Sequence, residues 1–242
     1  MNFEKIYDKQ VREKFDSNYE SERWFKDLRT KLGYDQTKQA LEKVVFNQEL
    51  VFSEYLELGP GPGTWTKLFL TKQPEAKFTL VEISNEMIAL AQKSLVGRGE
   101  LNFIRADFMS LPEESRRVDF FFSSRALEYL PDKAQAVKKI FKFLNLGGTG
   151  ILLTKNPRYF FYRLKGQTVP NIHRGQIKAS RLKVLLEKTG FKVSGPYYAT
   201  VTVPLFKSLT LDKFIGDFLV GRPMGWFGQF LAESYIFRFV KK

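Results

Sequence analysis

The amino-acid sequence predicts a doubly wound α/β fold, in which a mostly parallel β-sheet carries helices on both faces. Two observations indicate this fold. From residue 51 onward, short apolar runs alternate with segments of helical periodicity, and the first run leads directly into a glycine-rich turn. The chain has 242 residues, of which 43% are hydrophobic, enough for one sizeable domain with additions. Strand–helix alternation gives parallel strands, because each helix returns the chain to the same end of the sheet.

Seven strands are predicted, with the last one antiparallel. Five buried runs are followed by an extended segment after Gly190 and by a final strand. The five runs are residues 54–58, 78–83, 101–106, 118–124 and 148–154, and the final strand is ESYIFRFVKK at 233–242.

Helices are predicted between the strands, at residues 64–72, 84–95 and 131–145. Ser84 is the predicted N-cap of the second helix. Pro131 lies near the start of the third, and Gly147 follows its end. A later helix ends at Gly190, and its apolar face consists of Leu182, Leu185 and Leu186.

The chain divides into an N-terminal helical cover, residues 1–50, and a main domain, residues 51–242. In the cover, Trp24, Phe25 and Leu28 are the predicted contacts. Within the main domain, an insert at about 204–231 interrupts the last hairpin. Its helix has an apolar stripe at i, i+3, i+4, i+7, i+8 spacing: Leu211, Phe214, Ile215, Phe218 and Leu219.

Three roles remain open for this insert. It packs on the sheet edge and the N-terminal helices, or it forms a lid that walls an apolar substrate cavity. Alternatively, its aromatic-rich surface, which continues in MGWFGQFL, rests on an anionic membrane.

Composition excludes some classes of protein and favours others. The chain has no cysteine, which excludes a disulfide framework, a thiolate metal site and a thiol nucleophile. It has no run of about 20 apolar residues, and its charged start does not resemble a secretory signal. We therefore expect a cytoplasmic protein that also makes peripheral contact with a membrane. The formal charge is +13, and residues 155–193 are strongly basic. Such a region attracts nucleic acid, anionic lipid or an acidic small molecule, or is simply a solvated basic face.

The stretch YLELGPGPGTWTKLF, residues 55–69, contains the most informative motif. Gly59, Gly61 and Gly63 follow a strand and precede a helix, in G-x-G-x-G spacing. A dinucleotide fingerprint has G-x-G-x-x-G spacing instead, which disfavours a dehydrogenase. Glu57 stands two residues before the first glycine; a carboxylate there repels phosphate and suits a cation.

With this loop, the chain resembles the class I S-adenosylmethionine-dependent methyltransferases, in particular their small-molecule and lipid branch. LELGPGPG is similar to their first motif. LVEIS, IRADFMSLP, FFFSSRALEYLPD and NLGGTGILLTKNP follow in the family's order over residues 53–192. The resemblance implies a Rossmann-like fold, S-adenosylmethionine as cofactor and S-adenosylhomocysteine as product.

The resemblance also implies roles for individual residues. Glu82 holds the ribose hydroxyls, at a spacing from the glycines that also suits a ribose-binding acid in general. Asp107 accepts a hydrogen bond from the adenine amine, and Ile83 and Phe108 enclose the ring. Glu57 lies near the amino and sulfonium groups. The full set of predicted cofactor-binding residues is Glu57, Gly59, Gly61, Gly63, Glu82, Ile83, Asp107, Phe108 and Ser123.

On the acceptor side, the predicted catalytic residues are His173, Glu128 and Tyr129. His173 is the single histidine and follows the fifth strand, and its ordinary pKa suits removal of a hydroxyl proton. Its other interpretation is a surface or structural role. KNPRYFF, residues 155–161, is similar to the clamp of nucleobase amino-methyltransferases but has Arg158 where that clamp has proline, and it follows the wrong strand. No metal site is predicted.

These observations favour an enzyme that methylates a small or lipid-like acceptor, anionic in character, at oxygen. Its expected partner is a small molecule, with an anionic membrane as a peripheral contact. An RNA methyltransferase that uses the basic region 155–193 is the alternative. A non-catalytic binding protein on the same fold is a third interpretation.

Overall fold

A computed structural model of the protein describes residues 8, 19–112, 117–157, 166, 168, 175–203, 208–225 and 228–242. Seven strands form one sheet in the order β3-β2-β1-β4-β5-β7-β6. β7 is antiparallel to both of its neighbours, and the pairs among β1 to β5 are parallel. The predicted doubly wound α/β fold with an antiparallel last strand is confirmed. The strands are β1 Glu54–Leu58, β2 Lys77–Glu82, β3 Glu100–Arg105, β4 Val118–Ser124, β5 Leu144–Lys155, β6 Phe191–Val201 and β7 Ala232–Lys241.

The described helices lie between these strands and before the first. They are α1 Leu28–Leu41, α2 Thr66–Lys72, α3 Asn85–Ser94, α4 Lys133–Phe143, α5 Ala179–Thr189, α6 Leu209–Leu219 and the single turn α7 Gly228–Leu231. Two π-helical turns, Ser21–Phe25 and Glu42–Phe46, flank α1, and short 3₁₀ turns occupy Phe108–Ser110 and Leu127–Tyr129.

The helix ends follow capping chemistry. Ser84 caps α3 by accepting a hydrogen bond from the Met87 amide at 3.2 Å, as predicted. Gly190 ends α5 in the left-handed conformation, φ 107°, also as predicted. The prediction for α4 was wrong at its end, because the helix stops at Phe143 and β5 begins at the next residue. Gly147 therefore lies within the strand, where its φ is 78°.

The core has two layers, because successive strand residues point to opposite faces of the sheet. One layer contains Tyr55 and Phe120, and the other contains Leu56 and Phe121. All four side chains are fully buried. Each large ring contributes about 3 kcal/mol or more to stability, judged by the usual cost of truncating such a side chain.

The insert helix α6 does not bury the whole stripe predicted for it. Phe214 and Phe218 are 75% and 59% exposed, and the buried positions are Asp212 and Gly216. A Cβ atom at Gly216 would lie 2.0 Å from Nε2 of Gln36, so the missing side chain lets α6 approach α1 closely. Periodicity alone located the helix but only part of its buried side, because Ile215 and Leu219 pack against the core whereas Phe214 and Phe218 do not.

Polar contacts attach α6 to the N-terminal cover and the sheet edge. Arg29 donates to the Asp212 carboxylate at 2.9 Å, and the other oxygen of that carboxylate accepts from the Val203 amide at 2.7 Å. Gln36 donates to the Asp212 carbonyl and accepts from the Val201 amide. These contacts support packing on the sheet edge, the first of the three predicted roles of the insert.

The described part of the N-terminal cover is helical, and Trp24 is its main contact with the domain. Trp24 lies 5.7 Å from Trp65 and 5.8 Å from Tyr34 between ring centroids. Phe25 packs on Tyr34, but Leu28 is 71% exposed, so the prediction of a contact at Leu28 was wrong. Among the described residues, none of the helices is long and apolar enough to cross a membrane.

Candidate active site

One crevice of about 570 Å³ opens at the carboxyl ends of β1, β2 and β4. β1 pairs with β2 on one side and β4 on the other, so the chain connections diverge there. Such a switch point is where doubly wound folds bind ligands. A volume of this size suits a nucleoside with an amino-acid tail and a small acceptor beside it.

Gly59 and Gly61 line the crevice, whereas Gly63 does not. All three glycines adopt the left-handed conformation, with φ of 69°, 55° and 82° at Gly59, Gly61 and Gly63. A Cβ at Gly59 would lie 2.5 Å from Cβ of Ala126, and one at Gly63 would lie 2.9 Å from Leu95. The sequence pattern thus reflects both a sharp turn and a close approach to neighbouring segments.

Glu82 ends β2 and lines the crevice. One oxygen of its carboxylate accepts from the amides of Ile83 and Ser84, at 2.8 and 3.1 Å, and the other accepts from the Gly61 amide at 3.2 Å. Burial raises the pKa of Glu82, and these three hydrogen bonds oppose the shift. Each oxygen has a further lone pair, so the carboxylate can still accept from a ligand's hydroxyl groups.

Glu57 and Ser123 lie behind the crevice wall, and neither lines it. The Glu57 side chain is 1% exposed, and one of its oxygens accepts from the hydroxyls of Tyr55 and Thr66 at 2.9 and 2.8 Å. Burial raises the pKa of Glu57 to about 7. Ser123 is fully buried and donates to the Leu58 carbonyl. Glu57 was predicted to lie beside the charged end of the ligand. In the structure, its side chain instead points into the packing between β1 and α2.

Asp107, Phe108 and Ile83 all line the crevice. Asp107 is exposed, and one of its oxygens accepts from the Met109 amide at 2.8 Å. The Phe108 ring is 2% exposed and packs 6.1 and 5.8 Å from Phe121 and Phe143. It therefore supports the wall from within the core rather than protruding as a free ring. We call Gly59–Pro62, Thr64, Glu82, Ile83, Asp107 and Phe108 the glycine wall.

The predicted catalytic residues are placed differently from one another. Tyr129 lines the crevice. Glu128 does not; it is 5% exposed and accepts from the Lys155 amide at 2.7 Å and from the Thr154 hydroxyl at 3.2 Å. Those bonds tie the end of β4 to the end of β5. His173, the third predicted catalytic residue, lies outside the described residues.

Sequence reasoning missed a second group of residues that line the crevice, which we call the arginine wall: Tyr19, Arg23, Trp24 and Arg125. Arg23 and Trp24 belong to the N-terminal cover, and Arg125 follows β4. The only sequence signal was a basic residue beside an aromatic one in the cover, and such a pair is common on helix surfaces. None of the described residues of the insert 204–231 lines the crevice, so its role as a lid stays a prediction.

Two further sequence features can be located. Asn156 of KNPRYFF donates from its backbone and side-chain amides to the carbonyls of Glu233 and Ala232, which joins β5 to β7; residues 158–161 lie outside the described part. Within the ranges that the structure covers, no group of three acidic or histidine side chains is arranged to hold a metal ion.

Comparisons with known proteins agree with this architecture. Residues 56–148 match the family model described as a methyltransferase domain. The chain is 30% identical over 125 residues to a trans-aconitate 2-methyltransferase of Enterobacter sp. (strain 638), which covers 52% of this chain and 48% of that protein. It is 28% identical over 144 residues to a malonyl-[acyl-carrier protein] O-methyltransferase of Priestia megaterium, over 60% of this chain and 50% of that protein. The chain thus spans about half the length of the curated relatives it matches.

Solved structures share the fold. A SAM-dependent methyltransferase of Thermotoga maritima superposes with a TM-score of 0.62 at 19% identity, over the full length of both chains. The N-methyltransferase NodS of Bradyrhizobium japonicum, in complex with S-adenosylhomocysteine, gives a TM-score of 0.58 at 14% identity over 86% of each chain. The sequence matches identify residues 56–148 as similar to a methyltransferase domain, and the shared fold agrees with the resemblance to the class I S-adenosylmethionine-dependent methyltransferases.

Proposed function

We propose that the chain is a class I methyltransferase, and that it transfers the methyl group of S-adenosylmethionine to an oxygen atom of a small or lipid-like, anionic acceptor. The observation that carries the proposal is the glycine wall, which brings Gly61, Glu82 and Asp107 together at one switch point although they lie at the ends of three different strands.

The residues of the glycine wall fit the cofactor. Glu82 would accept from the ribose hydroxyls, Asp107 would accept from the adenine amine, and Ile83 would pack on the ring. The left-handed glycines leave room for the ligand to approach the backbone. When bound, S-adenosylmethionine supplies an activated methyl group on a sulfonium. The protein's own contribution is to hold the acceptor oxygen in line with that group, which accounts for most of the acceleration in such a displacement.

The names of the relatives support the anionic acceptor and its oxygen atom. One relative is named for trans-aconitate and another for O-methylation of a malonyl group on a carrier protein. Both named acceptors carry carboxylates. The chain's net charge of +13 attracts such negatively charged acceptors.

Substitution of Glu82 tests the cofactor site. We expect Glu82→Gln to weaken S-adenosylhomocysteine binding at least tenfold in calorimetry, because an amide both donates and accepts and so disturbs the three backbone hydrogen bonds as well as the ribose contact. Glu100→Gln is the matched control: Glu100 is exposed and starts β3, at the opposite end of the sheet. Equal affinities of the two variants would refute the proposed cofactor site.

The RNA alternative rests on exposed cations on and beside α5, namely Lys178, Arg181, Lys188 and Lys192, none of which lines the crevice. A turnover assay with trans-aconitate, decanoate and total RNA as acceptors separates the two functions. Methyl transfer to RNA alone, with an affinity that falls steeply with salt, would replace the acid acceptor by nucleic acid.

We also propose that α6 mediates peripheral contact with anionic lipid. Phe214 and Phe218 are one helical turn apart and exposed, and the Arg222 guanidinium lies 3.9 Å from the Phe218 ring centroid. An aromatic pair beside cations is typical of helices that lie in a bilayer interface.

Vesicle flotation tests this contact. With vesicles that contain phosphatidylglycerol, we expect the double variant Phe214→Ser, Phe218→Ser to lose most of the bound fraction. Leu146→Ser is the control, because Leu146 is 79% exposed near the start of β5. Retention of binding by the double variant would exclude α6 as the contact.

A further inference from the structure

The arginine wall contains two guanidinium groups around one indole ring. The Arg23 guanidinium carbon lies 5.1 Å from the Trp24 ring centroid, and that of Arg125 lies 5.7 Å from it. Trp24 is 9% exposed and is held by Trp65 and Tyr34, so it is a fixed support for both cations. All three residues line the crevice.

The backbone fixes the position of Arg125. It is the one described non-glycine residue with a left-handed backbone, φ 62°, and its amide donates to the Leu153 carbonyl at 2.7 Å. An L-residue rarely adopts this conformation because its Cβ crowds the backbone. The next residue, Ala126, packs on the glycine loop at Gly59, so the placement of Arg125 is linked to that loop.

The acids near Arg125 already have other partners. Glu128 accepts from the amide of Lys155 and the hydroxyl of Thr154, and Glu233 pairs with the Lys155 ammonium at 3.5 Å. Among the residues that the structure describes, neither Arg23 nor the Arg125 side chain has an ion-pair or hydrogen-bond partner. Burial lowers the pKa of the Arg125 guanidinium; Glu233 opposes that shift, and Arg23 adds to it.

A desolvated cation without a partner is costly in a folded protein, and a carboxylate ligand would remove that cost. The guanidinium group presents parallel N–H donors that match the two oxygens of a carboxylate, which a lysine cannot do. The loss of water near Trp24 strengthens the attraction further.

We propose that Arg23 and Arg125 form a carboxylate-binding site on the arginine wall of the crevice. The proposal rests on the function proposed above and gives it a binding group. One of two carboxylates would occupy this site when both substrates are bound. It is either the carboxylate of an acidic acceptor or that of the amino-acid part of the methyl donor. The chemistry of recognition is the same for both sources.

The test measures binding by calorimetry to Arg23→Gln, Arg125→Gln and the double variant. The donor arm compares S-adenosylhomocysteine with 5′-methylthioadenosine, which has no carboxylate. The acceptor arm uses protein saturated with S-adenosylhomocysteine and compares trans-aconitate and decanoate with decanamide. Arg222→Gln is the matched control, because that arginine also lies over an aromatic ring but outside the crevice.

If the acceptor occupies the site, the double variant binds the acids at least tenfold more weakly and keeps its affinity for S-adenosylhomocysteine. If the donor occupies it, affinity for S-adenosylhomocysteine falls at least tenfold while that for 5′-methylthioadenosine is unchanged. The site is refuted if the double variant binds every ligand within twofold of the affinity of the Arg222→Gln control. It is also refuted if neither acid binds the wild type and the affinity for S-adenosylhomocysteine is unchanged in the double variant. Failure of 5′-methylthioadenosine to bind the wild type would instead count against the proposed function.

Arg125→Gly separates binding from a structural role. Glycine relieves the left-handed strain, so we expect the Tm of the free protein to stay the same or rise while carboxylate affinity falls. A lower Tm with unchanged affinity for every ligand would make Arg125 a structural residue only and would refute its place in the site.

Discussion

The two walls of the crevice differ in how their polar groups are satisfied. In the glycine wall, the Glu82 carboxylate accepts three backbone hydrogen bonds, and Asp107 caps the turn that follows it. In the arginine wall, the guanidinium groups of Arg23 and Arg125 have only the Trp24 ring between them. The carboxylates of the glycine wall thus already have backbone partners, and the wall suits a neutral sugar and base. Among the described residues, Glu233 and Glu128 lie near enough to attract Arg125, but neither guanidinium group has a hydrogen-bonded acid, so a ligand carboxylate would supply that partner.

The largest effect is expected where the two walls meet, at Gly59. Gly59→Ala should destabilise the protein by about 3 kcal/mol, because it adds left-handed strain of about 1–2 kcal/mol and a clash with Ala126 that costs about as much again. The clash should also displace the neighbouring Arg125 and weaken S-adenosylhomocysteine binding at least tenfold. Urea unfolding and calorimetry measure the two effects.

Gly97→Ala is the control for backbone strain alone. Gly97 has a similar φ of 71°, but a Cβ there would meet nothing within 4 Å. We expect a loss of about 1–2 kcal/mol and no change in ligand affinity. Equal losses in the two variants, with binding intact in both, would mean that the close approach of the walls is unimportant.

A pH-dependent effect is expected from Glu57, which lies behind the glycine wall. Its pKa in the folded protein is about 7 because of burial, whereas an unfolded glutamate titrates near its ordinary value of 4.5. The neutral form is therefore favoured by folding. Its contribution is fully present below about pH 4.5 and is lost as the pH rises through 7. By this linkage, the loss amounts to at most about 3 kcal/mol.

Glu57→Gln isolates this contribution, because the amide oxygen can still accept from the Tyr55 and Thr66 hydroxyls without titrating. We expect the wild type to lose stability relative to the variant between pH 4.5 and 7.5, measured by urea unfolding at each pH. Glu82 also has a raised pKa, but it is present in both proteins and cancels in the difference. Parallel pH profiles would show that Glu57 does not titrate in this range.

Much of the fold could be predicted because it depends on local patterns. The strands Glu54–Leu58 and Val118–Ser124 have the predicted bounds, since buried parallel strands are short, continuous apolar runs. Gly59, Glu82 and Asp107 were located because each follows a strand, and the carboxyl ends of parallel strands meet at one edge.

The direction of individual side chains could not be predicted in the same way. Glu57 and Glu82 are both acids near the end of a strand, yet the first points into the core and the second into the crevice. The stripe on α6 gave the helix but only part of its buried side, because Asp212 is held by Arg29 and Gly216 by its fit against Gln36. Such contacts join residues more than 170 positions apart.

The sequence by itself determined the sheet, the glycine turn and the acids that follow β2 and β3, because apolar periodicity, backbone freedom and strand polarity are all properties of neighbouring residues. Only the tertiary structure decided that Arg23 and Arg125 share one tryptophan, since they are distant in the chain and meet only when the cover packs on the sheet. The balance of charge in the crevice depends on residues from several elements of the fold, and no pattern of neighbouring residues predicts it.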